Sequence, residues 1–173
     1  VLDVIEARKD RPVYLNYCDC KSLNGQCGKP RDTCITYKDG INTYVHRGLG
    51  KRIDAETAKE VVRRADRAGL MHTVNPTGIC NCCDDCCYLF RSQKRRKSGG
   101  FWLKTDHVIS WDQEKCVGCG LCKKRCRFQV FSGEKKELCL DFSRCVGCGL
   151  CASACPGGAL ELVARCVPSV EIS

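Results

Sequence analysis

Eight cysteines stand in two runs of identical spacing. Cys116, Cys119, Cys122 and Cys126 follow C-x2-C-x2-C-x3-C, and Cys145, Cys148, Cys151 and Cys155 repeat it 29 residues later, with Pro156 next. Thiolate sulfur is a soft ligand that selects iron–sulfur clusters and zinc over hard cations. Three cysteines at two-residue gaps on a tight loop can each hold a different iron of one cube. The fourth lies a helical turn further on and points the other way, towards a second cluster. Gly118, Gly120, Gly147 and Gly149 sit in the loops where backbone N–H groups must turn towards sulfur. Four cysteines can also hold zinc, but two complete runs of this spacing favour iron–sulfur chemistry.

Cluster I is therefore assigned to Cys116, Cys119, Cys122 and Cys155, and cluster II to Cys145, Cys148, Cys151 and Cys126. The first run carries Lys123, Lys124 and Arg125 where the second carries Ala152, Ser153 and Ala154. Positive charge beside a cluster favours its reduced form. Unequal potentials are expected, the higher one beside the basic run. Cys139 and Cys166 fall outside the spacing and are expected to be small buried apolar residues.

Nine more cysteines lie upstream in two irregular groups: Cys18, Cys20, Cys27 and Cys34, then Cys80, Cys82, Cys83, Cys86 and Cys87. Neither group is a pair of zinc-ribbon knuckles, although Cys80, Cys83 and Cys86 repeat the loop spacing of a cubane. At four ligands per site, nine thiols give two sites and one spare. This pool is expected to hold at least a third [4Fe-4S] cluster, with zinc or a fourth cluster as the companion. Each group builds its own site, or the fold mixes them.

The elements that must position these residues are only partly visible. Asp54 caps a helix over "AETAKEVVRRADRA", with Gly69 just past its end. Ala58, Val61, Val62, Ala65 and Ala68 make its apolar face, and Arg63, Arg64 and Arg67 its outer side. This helix separates the two upstream groups in sequence; folded back it would bring them together, but it reads first as an ordinary packing helix. Residues 91–100, "RSQKRRKSGG", hold five basic residues and no acid, and read as a solvated basic connector. The chain thus divides into a Cys-rich iron–sulfur module at 1–90, a linker at 91–100 and a two-cluster domain at 101–173. In the last, "HVISW" and "ALELV" read as outer strands, and "RFQVFSGEKKELCLDF" as a hairpin turning at "SGEKK".

Composition sets the outer bounds. Nineteen cysteines in 173 residues, about 11%, mean either disulfides or metal sites. Two-residue gaps and an odd total argue for metal, and metal-held thiolates suit a reducing interior. No secretory leader or membrane-length apolar run is seen, so a soluble cytoplasmic protein is expected. The formal charge of +9 counts every cysteine as neutral. Each [4Fe-4S] core held by four thiolates contributes about −2, so three of them would leave about +3. The basicity is thus no sign of nucleic acid, and no recognition helix or interleaved aromatics accompany it. "RGLGKR" is no nucleotide cradle. His46, His72 and His107 are scattered and read as surface or core groups.

Residues 106–165 resemble the two-[4Fe-4S] bacterial-type ferredoxins, with Arg127 where that family has proline after the fourth cysteine. The resemblance implies an α+β fold, a small metal-stabilised βαββαβ domain, behind a Cys-rich N-terminal module with one main helix. That module resembles a recurring segment of anaerobic iron–sulfur proteins, in which a C-x-C stretch, "RGLG" at 47–50, a helix, "AGLMH" at 68–72 and "GICNCC" at 78–83 occur in order. It implies a non-catalytic electron-transfer subunit serving a larger redox partner, a tungsten, molybdenum or flavin enzyme such as class II benzoyl-CoA reductase, and an electron donor or acceptor. The rival from another class is an iron–sulfur enzyme with an open-site cluster in the N-terminal module. A nucleic-acid-binding module using "KRRK" ranks third.

Overall fold

A computed structural model of the chain describes residues 1–25, 27–41, 43–97, 105–134 and 137–165. It divides into two units, Val1–Lys97 and Ser98–Ser173. Cys166, residues 98–100 of the expected connector and positions 135–136 of the expected turn lie outside the described residues.

The first unit is built on five short strands: β1 (Val13–Tyr17), β2 (Asp32–Thr36), β3 (Gly50–Ile53), β4 (Met71–Asn75) and β5 (Gly78–Cys82). They form one antiparallel sheet in the order β3-β1-β2-β5-β4. Four helices accompany it: α1 (Leu2–Ala7), α2 (Asp19–Asn24), α3 (Ala55–Arg67) and α4 (Tyr88–Arg96). Strand side chains alternate between faces. Val13, Leu15, Ile35 and Ile79 therefore share one face, and they form a core with Ile5 of α1 and Ala58, Val61 and Val62 of α3. Cys34, Cys80 and Cys82 are out of phase with Ile35 and Ile79, so they face away from α3.

Helix α3 starts at Asp54, whose carboxylate accepts the Thr57 N–H at 2.6 Å. It buries Ala58, Val61, Val62 and Ala65, as its periodicity requires. On its outer side Arg67 pairs with Glu60 at 2.6 Å, and Arg64 reaches Asp32 of β2 at 2.7 Å. The sequence reading of one main helix omits the sheet on which that helix rests. It also omits α1, whose Ile5 is fully buried. Residues 91–96 of the expected connector are the last turns of α4, with Phe90 and Gln93 buried.

The second unit comprises β6 (His107–Trp111), α5 (Leu121–Arg125), β7 (Phe131–Glu134), β8 (Glu137–Leu140), a 3-10 turn (Phe142–Arg144), α6 (Leu150–Ser153) and β9 (Leu160–Ala164). Strands β6 and β9 pair antiparallel from His107↔Ala164 to Trp111↔Leu160. Strands β7 and β8 make a hairpin from Phe131↔Leu140 to Glu134↔Glu137. Ser132, Gly133 and Glu134 of the expected turn belong to β7. Cys139 is exposed on β8, not the buried small apolar residue expected, because the buried residue of that strand is Leu138 next to it. Among the described residues no helix is long and apolar enough to cross a membrane.

Candidate iron–sulfur centres

In the second unit, two short helices each begin just behind a glycine-rich loop. Gly118, Gly120, Gly147 and Gly149 all have positive φ, between 70° and 76°, and Gly120 and Gly149 are the N-caps of α5 and α6. At Gly147 a side chain would also collide, since its Cβ would lie 2.3 Å from the His107 carbonyl oxygen. The strand β6 and the loop bearing Cys145 and Cys148 are thus pressed together where only glycine fits.

Cys116, Cys119 and Cys122 line one pocket together with Cys155 from the other run; Trp111, Leu138 and Leu160 complete its wall. The other four cysteines form a second electrostatic neighbourhood. Burial, then the charges of Cys148, Cys126 and Cys145, push the Cys151 thiol up to about 12. Burial and then Cys126 and Cys145 likewise raise Cys148. Neutral thiols are costly to ionise in such company, and a metal reverses the balance by holding each as a thiolate. Six of the eight cysteines pack into the unit's core with Ile109, Val130 and Leu160.

The chemistry of the pocket fits an iron–sulfur cluster. Its donor set is sulfur, its walls are apolar, and Trp111 offers a buried indole N–H that has no acceptor among the described residues. Sulfide or thiolate at a cluster would accept that bond. When bound, a cluster supplies reversible one-electron chemistry; the chain supplies the ligands, the dry wall and the N–H donor. The Lys123, Lys124 and Arg125 run occupies α5, with both lysines exposed. The Lys123 ammonium donates to the Gly133 carbonyl of β7 at 2.6 Å.

In the first unit the structure mixes the two upstream groups. The sheet achieves this: β2, carrying Cys34, pairs with β5, carrying Cys80 and Cys82. Helix α3 packs across the sheet as an ordinary packing helix. Six thiols form one neighbourhood. The Cys34 thiol bonds to Cys18, holding Cys18 down at about 6 and pushing Cys34 up. The Cys82 thiol bonds to Cys80 and Cys87, which raises Cys82, lowers Cys80 and brings Cys87 down to about 6. Cys20 is raised by burial first and then, despite the Tyr88 N–H, by the charges of Cys18, Cys87 and Cys80. Cys18 and Cys87 stand at the N-caps of α2 and α4, so helix starts bring N–H groups to both.

The remaining three, Cys27, Cys83 and Cys86, converge elsewhere, their Sγ atoms all within 4.8 Å of one another. Burial pushes the Cys83 thiol up to about 11.

Sequence reasoning passed over Lys21. It is 1% exposed, and its ammonium donates to the Thr33 hydroxyl at 2.9 Å and the Asn81 carbonyl at 2.8 Å. No carboxylate pairs with it among the described residues. Its charge acts instead on Cys18, Cys27, Cys34 and Cys80, thiols of both neighbourhoods. A buried cation needs a counter-charge, and here thiolates are the available one. The signal in the sequence was faint: a lysine one residue after C-x-C. Asn81 holds the same centre, donating to the Thr33 carbonyl at 2.5 Å and meeting His72 Nδ1 at 2.6 Å. His72 is thus a structural hydrogen-bonding group.

Residues 108–162 match the family model of the 4Fe-4S dicluster domain. No curated protein matches the chain. The second unit therefore carries a ferredoxin-like iron–sulfur domain, whose chemistry is electron transfer through [4Fe-4S] clusters.

Proposed function

We propose that the chain relays single electrons through several [4Fe-4S] clusters as a subunit of an anaerobic oxidoreductase complex. Cys116, Cys119, Cys122 and Cys155 hold cluster I, and Cys145, Cys148, Cys151 and Cys126 hold cluster II, in a ferredoxin-like βαββαβ domain. The observation that carries this reading is the single pocket shared by Cys116, Cys119 and Cys122 with Cys155 of the other run. Two halves that exchange their last ligand hold their clusters close together, as electron relay needs. A third cluster draws its ligands from the upstream pool, where the charge of the buried Lys21 acts on thiols and, among the described residues, no carboxylate pairs with it. The partner is a larger catalytic subunit carrying tungsten, molybdenum or flavin, with class II benzoyl-CoA reductase as the specific setting.

A tagged full chain, expressed in anaerobic source cells and purified without oxygen, tests the subunit role. It should copurify with one larger cofactor-bearing polypeptide. After reduction with dithionite it should return its electrons singly to a one-electron acceptor, with bleaching and recovery of the visible iron–sulfur absorption. A chain that does not bleach reversibly would exclude electron relay. Retention without a partner and turnover of a substrate by the isolated chain would favour an iron–sulfur enzyme instead.

A further inference from the structure

We infer that Cys27, Cys83 and Cys86 form a mononuclear zinc site with an open fourth position, distinct from the cluster that draws its four ligands from the other six upstream thiols. The inference deepens the reading of the first unit as metal-loaded and rests on that reading. The mutual approach of all three sulfurs points to a single metal ion. The three Sγ atoms lie within 4.8 Å of one another. One tetrahedral zinc with bonds of about 2.3 Å sets its sulfurs about 3.8 Å apart. A cubane seats each thiolate on a different iron, so its sulfurs stand further apart. The chain holds its own comparison: among the described residues, no three of the eight cysteines in the repeated runs converge this closely.

The local structure is built for thiolates. Cys83 and Cys86 form a C-x2-C turn between β5 and α4, and the Cys86 N–H donates to Cys83 Sγ at 3.4 Å. Cys27 is followed by Gly28 at φ 62°, which turns the Lys29 N–H towards its sulfur. Such N–H donors fix a metal-bound sulfur and tune it. The two halves of the site are also clamped. Asn24 of α2 donates to the Cys86 carbonyl at 3.1 Å, and Lys29 donates to the Gly69 carbonyl at 3.1 Å. Ala65, Ala68 and Leu70 wall the buried side, where Cys83 and Cys86 are each 1% exposed. Among the described residues no fourth Cys, His, Asp or Glu joins the group. The remaining position is therefore open to an exogenous ligand, a water or a small thiol, as zinc sites with three protein ligands are.

Three of the other six thiols lie on strands and point to the opposite side from this site. Cys34, Cys80 and Cys82 face away from α3, whereas the trio packs with Ala65 and Ala68 at the end of α3. Lys21 acts on thiols of both groups and offsets the charge of each.

The test uses the full chain, made with iron and zinc both present and purified anaerobically. Metal content should give one zinc per chain. Zinc K-edge absorption should show about three sulfurs near 2.3 Å and one lighter atom, with no iron in the next shell. Cys83→Ser and Cys86→Ser should lose the zinc while retaining iron and the EPR of the reduced clusters. Absence of zinc, zinc without sulfur ligands, or variants that lose four irons in place of zinc would each overturn the site. The wild-type absorption spectrum decides the matter even if a variant does not fold. Zinc without iron would sink the electron-relay reading and leave this site standing; iron clusters without zinc would do the reverse.

Discussion

Trp111 lines the pocket of Cys116, Cys119, Cys122 and Cys155, and its buried indole N–H has no acceptor among the described residues. Trp111→Phe keeps a ring in the wall and removes the donor. Losing one hydrogen bond of about 1 kcal/mol should lower one cluster's potential by some tens of millivolts and leave the other unmoved. A redox titration followed by EPR reads both; equal shifts, or none, would count against the donor role. The basic run of α5 acts at longer range. Replacing Lys123, Lys124 and Arg125 together by serine should also lower the potential of the cluster they flank. Because both lysines are exposed, that shift should shrink as salt rises. Lys21 is the opposite case, a cation without solvent. Lys21→Met leaves the Asn81 carbonyl and Thr33 hydroxyl without their donor, at about 1–3 kcal/mol. It also removes the counter-charge of the thiolates, so chemical denaturation should show a larger loss in the metal-loaded chain than in the metal-free one.

At the level of elements, legibility followed locality. Helix α3 was readable because its cap, its apolar face and its terminal glycine all lie within one stretch of sequence. Strands β6 and β9 were readable because each flanks a cysteine run. The five-stranded sheet was not. Its strands are four or five residues long, and β2 pairs with β5 across more than forty residues of chain, a contact no local pattern encodes. For the same reason the sequence left the nine upstream cysteines as a pool: only strand register shows that Cys34 faces the same way as Cys80 and Cys82. The basic stretch at 91–96 read as linker because its charges hid the end of a helix that buries Phe90 and Gln93. Ile79 is fully buried in the core of this unit, next to Cys80 on β5. Ile79→Ala should cost about 2–5 kcal/mol. In thermal unfolding followed by circular dichroism and cluster absorption, the first unit should melt earlier, with the second unit's transition unchanged. A single shifted transition would show that the units do not unfold independently.

Across the whole molecule, charge and metal are one subject. The formal +9 belongs to a chain without metals, and each cluster bound by four thiolates lowers it by about 2. The two units hold their cysteines differently. The second spaces eight of them by a repeated loop, while the first gathers nine from strands, helix caps and turns around a buried lysine. The most direct test is the iron and acid-labile sulfide content of the anaerobically purified full chain, with EPR after reduction by dithionite. About twelve irons, matching sulfide, and signals from more than two reduced clusters are expected. Eight irons would confine the clusters to the second unit, and a chain without labile sulfide or a reducible iron signal would contradict the electron-relay function outright.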